Sequence, residues 1–251
     1  MHRRLTDRPR DWALVVLALL IAALAVTVLG PWKMATNPLI RDSTSMYSWV
    51  DEATSGWSAQ AGTLTELVTE GLLVVLAGLL ALTVWLARAD IRAVAVGVAG
   101  AAGFVGSAAS TLVVKAMFAE PRPCEAVPDM HALSECPPIG DWSFPSNHSG
   151  MAAALATAVV LAGLAAGSRR TWLMVVAVLT AVVTAALRVV SGVHYPHDVV
   201  AGLVFGASIT VAVTVVLAPV AVAVLARVGL GGRGEGPVEA LTEPLRVTHR
   251  R

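Results

Sequence analysis

Six long apolar runs, at about residues 12–29, 65–87, 91–114, 150–167, 171–187 and 198–226, constrain this chain more than any other feature. Each is roughly the ~20 residues an α-helix needs to cross the hydrocarbon of a bilayer. No water reaches that layer, so each segment must pair its own backbone N–H and C=O groups, which a helix does. The runs are continuous and lack the alternation of lipid-facing strands, which argues against a barrel. Of the 251 residues, 56% are hydrophobic and 14% charged, far from the balance of a soluble domain. The expectation is an all-α, polytopic membrane bundle of six transmembrane helices.

The net charge of +1 conceals an asymmetry in how the 18 basic residues fall on successive sides. Arg3, Arg4, Arg8 and Arg10 precede the first run, Arg88 and Arg92 join runs two and three, and Arg169 and Arg170 join four and five. Arg227, Arg233, Arg246, Arg250 and Arg251 follow the last, which makes 13 on one side. The other side keeps Lys33, Arg41, Lys115, Arg122 and Arg188. Positive-inside bias makes the first side cytoplasmic, with both termini there. The first run follows a basic segment, as in a signal peptide, but it is long and Gly30 to Asn37 offers no small-residue cleavage site, so it is read as an uncleaved span. The chain divides into a basic cytoplasmic N-terminus at 1–11, one membrane domain at 12–226 and a flexible cytoplasmic tail at 227–251.

Two external segments interrupt the apolar pattern. Residues 31–64 carry Trp32, Trp49 and Trp57, which suit the headgroup level, and a stretch, DSTSMYSWVDEATSGW, that suits a short interfacial helix. Residues 116–149 are rich in proline and acidic residues and hold both cysteines, Cys124 and Cys136. An oxidising exterior permits a disulfide there; two free thiols are the other reading. Gly97, Gly100, Gly103 and Gly106, three apart in the third run, suit close approach of neighbouring helices. No nucleotide-binding loop, zinc-ligand spacing or internal repeat is present.

Three polar sets lie on the external side. In KAMFAEPRP, Lys115 precedes an Arg122-Pro123 pair by seven positions; a point charge and a planar fork of donors together suit a tetrahedral anion. In FPSNHSG, Ser146 is placed to cap the fourth helix, whose N-terminal N–H groups favour an anion, with His148 beside it. In RVVSGVHYPHD, Arg188 is followed by His194 and Asp198, four apart, which can meet on one helix face if the last helix reaches back that far, with Pro196 suited to its first turn. A carboxylate on one imidazole nitrogen fixes the tautomer and frees the other as a nucleophile. Taken singly, each set also reads as capping or as charges snorkelling to headgroups.

The order K-x6-R-P, P-S-x-H, R-x5-H-x3-D resembles the type 2 phosphatidic acid phosphatase superfamily, which includes vanadium haloperoxidases and bacterial undecaprenyl diphosphate phosphatases. The resemblance covers roughly residues 115–200. Asn147 stands where that family usually has glycine, and Leu187 where serine often precedes the arginine. The resemblance implies a phosphatase in which His194 attacks phosphorus to form a phosphohistidine, Asp198 orients it and His148 protonates the leaving oxygen. Lys115, Arg122 and Arg188, with Ser146 and the backbone around Asn147, hold the phosphoryl oxygens.

No metal or other cofactor is expected, because the sequence shows no external cluster of carboxylates. The implied partners are the lipid bilayer and a phospholipid or polyprenyl phosphate or diphosphate, with no nucleic acid. An undecaprenyl-type diphosphate in the outer leaflet is the first-choice substrate; phosphatidate, phosphatidylglycerol phosphate and diacylglycerol diphosphate are alternatives. A vanadate haloperoxidase would use the same pocket, but six spans favour a lipid. A non-catalytic lipid-phosphate binder or transporter would not need His148, His194 and Asp198 together.

Overall fold

The computed structural model describes residues 9–33, 37–127, 132–167 and 171–228. Most of the expected N-terminal segment and of the tail, together with Arg169 and Arg170, lies outside the described residues. In chain order the helices are α1 (Pro9–Leu29), α2 (Pro38–Thr54), α3 (Ala59–Leu86), α4 (Ile91–Phe118), α5 (Pro123–Ala126), α6 (Asn147–Ala165), α7 (Thr171–Val190) and α8 (Pro196–Arg227). Six of these, α1, α3, α4, α6, α7 and α8, are long and apolar enough to cross a membrane. No strand occurs among the described residues.

The helices overrun the apolar runs mainly at one end of the bundle. α3 starts before Leu64, α4 continues through Lys115, α6 starts at Asn147, α7 continues past Arg188 and α8 starts at Pro196. Hydropathy stops at the first polar side chain, whereas a helix stops where its backbone bonding stops. The overrunning turns therefore carry polar residues beyond the apolar layer while holding them rigidly.

α4, α6 and α8 pack against one another, with α1 on α8 and α7 on α6. α6 is apolar on every side and buries Ala152, Ala154, Ala156, Ala158, Val159 and Ala162, as a central helix must. Small residues set the spacing. A Cβ at Gly206 would stand 2.1 Å from the Gly150 carbonyl oxygen, and one at Gly103 would stand 3.0 Å from the Thr210 Cα. These contacts bring α8 close to α6 and α4, as small-residue faces do in lipid.

α2 is the helix expected in the first external segment. Asn37 caps it by accepting from the Leu39 N–H at 3.1 Å, and Pro38 takes the first position, where its missing N–H costs nothing. It lies against α7 and α8, buries Ile40 and Tyr47, and donates from the Tyr47 hydroxyl to the Gly192 carbonyl at 3.0 Å. At the end of α4, Ala119 adopts φ 48°, a left-handed conformation that costs a residue with a Cβ about 1–2 kcal/mol. That turn sends Glu120 and Arg122 inward, where both are buried. Cys124 and Cys136 form a disulfide, which decides between the two readings of the pair and ties α5 to the segment leading into α6.

Candidate active site

Tyr195 is the N-cap of α8, so His194 lies in the turn before the helix; the helix does not reach back to it, and a shared helix face does not form. They meet across the helix start instead. Asp198 sits in the first turn, where its Oδ2 accepts the Tyr195 N–H at 2.8 Å. The same oxygen lies 3.4 Å from His194 Nδ1. Ser143 stands between them: its hydroxyl donates to Asp198 Oδ2 at 2.5 Å and lies 3.2 Å from His194 Nδ1. The Nδ1 proton therefore faces a carboxylate and a hydroxyl oxygen already committed to that carboxylate, which leaves Nε2 with its lone pair. Sequence reasoning missed Ser143, since a serine before FPSNHSG has no distinguishing spacing.

Arg122 is almost wholly enclosed, and its guanidinium reaches four partners. Nε donates to the Asp141 carbonyl at 2.7 Å; one terminal nitrogen donates to the Val193 carbonyl at 2.9 Å and to His194 Nε2 at 3.1 Å. The other terminal nitrogen pairs with Asp141 Oδ1 at 3.1 Å. Lys115, in the last turn of α4, reaches the same Oδ1 at 3.2 Å and also donates to the Trp142 carbonyl. Asp141, missed as a site residue, thus bridges the two cations of the first motif with one oxygen. Arg188, at the end of α7, pairs with Glu66 of α3 at 2.6 Å, and its Nε is buried without a partner among the described residues. Glu66 was likewise not singled out.

Ser146 occupies the N-cap of α6, but among the described residues no side chain caps that helix, which corrects the expected role of its hydroxyl. The hydroxyl instead accepts from Ser149 at 3.1 Å. The backbone does the joining: the Ser146 N–H donates to the Asp198 carbonyl at 3.0 Å, so the starts of α6 and α8 are fastened together. The first-turn N–H groups around Asn147 are left for an anion, in keeping with the positive end of the helix. Asn147 Oδ1 is buried without a partner among the described residues. His148 is half-buried, within the field of Arg188, Glu66, Lys115 and Arg122. The site residues expected from sequence thus converge at the overrunning helix ends.

Burial is the main influence on His194; the Asp198 bond opposes it, while Arg122 and Arg188 add to it, and the imidazole is lowered to about 3. Burial thus favours the uncharged imidazole at neutral pH. Burial raises the Asp141 carboxyl, but Lys115 and Arg122 outweigh it and the net shift is downward. Two neutral-pH requirements for attack on a phosphoryl group are present together, an uncharged nitrogen and a set of cations around it.

A second cluster lies behind Asp198. Glu120, His197 and Asp198, all buried, place one ligand-type atom each within 4.8 Å of one another. This corrects the expectation that the chain has no such grouping on this side. It escaped sequence reasoning because Glu120 and His197 are 77 positions apart and each falls at an unspecified position within a motif.

Residues 91–220, just over half of the chain, match the family model described as the PAP2 superfamily. Among solved structures, the chain is similar to the first transmembrane PAP2-type phosphatidylglycerolphosphate phosphatase from Bacillus subtilis. That likeness covers 81% of this chain and 93% of the other, with a TM-score of 0.53 and 21% identity, and it concerns the fold. No curated protein matches the chain.

Proposed function

The chain belongs to the PAP2 superfamily, and from that premise we propose how and where it works. It is a multi-pass membrane protein and a phosphoric ester hydrolase acting on lipid phosphates. In the proposed reaction, His194 Nε2 attacks phosphorus as the bond to the leaving oxygen breaks, and His148 gives that oxygen its proton. His148 then takes a proton from water, which attacks the phosphohistidine and releases phosphate and neutral His194. Lys115, Arg122, Arg188 and the open N-terminus of α6 around Ser146 and Asn147 hold the phosphoryl oxygens, whose charge grows toward the transition state. Asp198 keeps the Nδ1 proton in place and stabilises the imidazole as it becomes cationic.

The observation that carries this reading is His194 itself: buried, flanked at Nδ1 by Asp198 and Ser143, and faced at Nε2 by a guanidinium. The side of the membrane is argued from charge. The 13-to-5 division of basic residues supports an external site with cytoplasmic termini, and the disulfide beside Arg122 suits an oxidising compartment. An external site at headgroup level favours an outer-leaflet lipid. An undecaprenyl-type diphosphate is the first choice, since recycling that carrier requires external dephosphorylation. Phosphatidate, phosphatidylglycerol phosphate and diacylglycerol diphosphate are the alternatives.

The test is phosphate release by the purified protein from that panel of lipids, with and without EDTA. His194→Ala should release none while still inserting, and Asp198→Asn should lose about 10⁴-fold in kcat, the cost of a wrong tautomer in a comparable site. Near-normal release by His194→Ala would sink the mechanism.

A further inference from the structure

His197 is set within a frame unrelated to phosphate binding. Its ring stacks on Tyr195, with centroids 5.4 Å apart and planes 16° apart, and on Phe144 at 6.1 Å. Its backbone N–H donates to Ser43 Oγ of α2 at 3.0 Å, and the same hydroxyl lies 2.9 Å from Nδ1. Ser43 Oγ already accepts from the backbone, so its own proton is available to Nδ1, which puts the ring proton on Nε2. Nε2 in turn lies 3.2 Å from Glu120 Oε1 and 3.3 Å from Asp198 Oδ1. Of the two buried carboxylates, Glu120 is hydrogen-bonded to Nε2, whereas Asp198 Oδ1 pairs with it at ion-pair distance and accepts no hydrogen bond.

We propose that His197, fixed by Ser43 and Glu120, is a positioning residue: its Nε2 edge pairs with Asp198 Oδ1 across 3.3 Å, so that Oδ2 stays turned to Nδ1 of His194. The inference rests on the reading of His194 as the nucleophile. Apart from that ion-pair contact, the Asp198 carboxylate is held only through Oδ2, by Ser143, Tyr195 and His194. Oδ1 is buried and accepts no hydrogen bond from any described residue, and the His197 ring faces it at 3.3 Å. Loss of the His197 ring removes the contact on Oδ1 and leaves the carboxylate freer to rotate about its last bond, which carries Oδ2 away from His194. The chain of contacts also begins on α2, so the seating of that helix at the bundle end reaches the nucleophile through Ser43, His197 and Asp198.

The experiment compares lipid phosphate hydrolysis by wild type, His197→Leu, His197→Gln, Asp198→Asn and the His197→Leu/Asp198→Asn double variant, each corrected for folded fraction. Glutamine can place an amide N–H near the imidazole Nε2. His197→Leu should lower kcat by about 10- to 100-fold, the range for partners that orient a reactive group from behind, with KM nearly unchanged. His197→Gln should recover most of the loss. In the Asp198→Asn background, His197→Leu should cost little more, because His197 acts through a carboxylate already gone. Fully additive losses, or a glutamine variant no better than leucine, would overturn the proposal. So would wild-type activity that falls in EDTA and returns with a divalent ion, since Glu120, His197 and Asp198 would then be holding a metal. His194→Ala retaining activity would instead reject the mechanism on which the inference rests.

Discussion

Arg122 donates to Nε2 of His194 across 3.1 Å, so the proposed attacking nitrogen and a phosphate-binding donor share a bond. Substrate must take both ends of that contact, Nε2 meeting phosphorus while the guanidinium passes to a phosphoryl oxygen. The other guanidinium bonds, to Asp141 and Val193, hold the group in place during the exchange. Lysine keeps the charge but lacks the planar fork that makes all four contacts. Arg122→Lys should therefore lower kcat/KM by about 10²-fold or more, the cost of losing one transition-state donor. A loss under threefold in steady-state hydrolysis would show that charge alone suffices.

Asp141 occupies the donors that substrate needs. Its ionised carboxylate bridges Lys115 and Arg122, and its side chain is about half exposed on a loop, so it can withdraw as an anion enters. A half-exposed charge pair of this kind is worth up to about 1 kcal/mol. Asp141→Asn should thus tighten inhibition by orthovanadate by up to about fivefold, measured as the ratio of inhibition constants. Weaker inhibition would mean that Asp141 holds the two cations in position rather than competing for them.

Much of this arrangement was legible in the chain, and the reasons differ by residue. The spans were readable because bilayer thickness imposes a length, and Lys115, Arg122, His148, Arg188, His194 and Asp198 because chemistry imposes residue types at fixed spacings. Ser146 was placed correctly at the start of α6 but given the wrong task, since a serine at an N-cap does not reveal whether its hydroxyl turns to the backbone or to Ser149. Ser143, Glu66, Asp141, Glu120 and His197 were not legible at all. Their roles arise from contacts between distant segments: Glu66 with Arg188 spans 122 positions and Ser43 with His197 spans 154. No local pattern encodes such pairs.

Acid should destabilise the protein through His194. Its folded value of about 3 lies below the ordinary 6.5, so below about pH 6.5 the unfolded chain binds a proton that the folded chain does not. Stability then falls as pH drops through that window, and Asp141, also lowered, acts in the same direction at lower pH. His194→Gln removes the first contribution and keeps the second. Between pH 7 and 5, the Tm of wild type in detergent should therefore fall more steeply than that of the variant. Parallel curves would mean that His194 takes up its proton equally well folded and unfolded.

The side of the membrane can be tested with the structure as a guide. A cysteine at Asp141 would break the bridge to Lys115 and Arg122, whereas Ile139 is 89% exposed on the same loop and bonds to neither. The native cysteines are paired with each other, so they need not be removed, and the loop that carries Arg122 stays tied. Ile139→Cys should react with a membrane-impermeant thiol reagent in intact cells, while Arg169→Cys, between α6 and α7, should react only after permeabilisation. The basis is the division of basic residues, which positive-inside bias converts into an orientation. The reverse pattern would place His194 on the cytoplasmic side. Outer-leaflet lipids would then be excluded as substrates, while the assignment of His194 as nucleophile, which depends on local geometry alone, would stand.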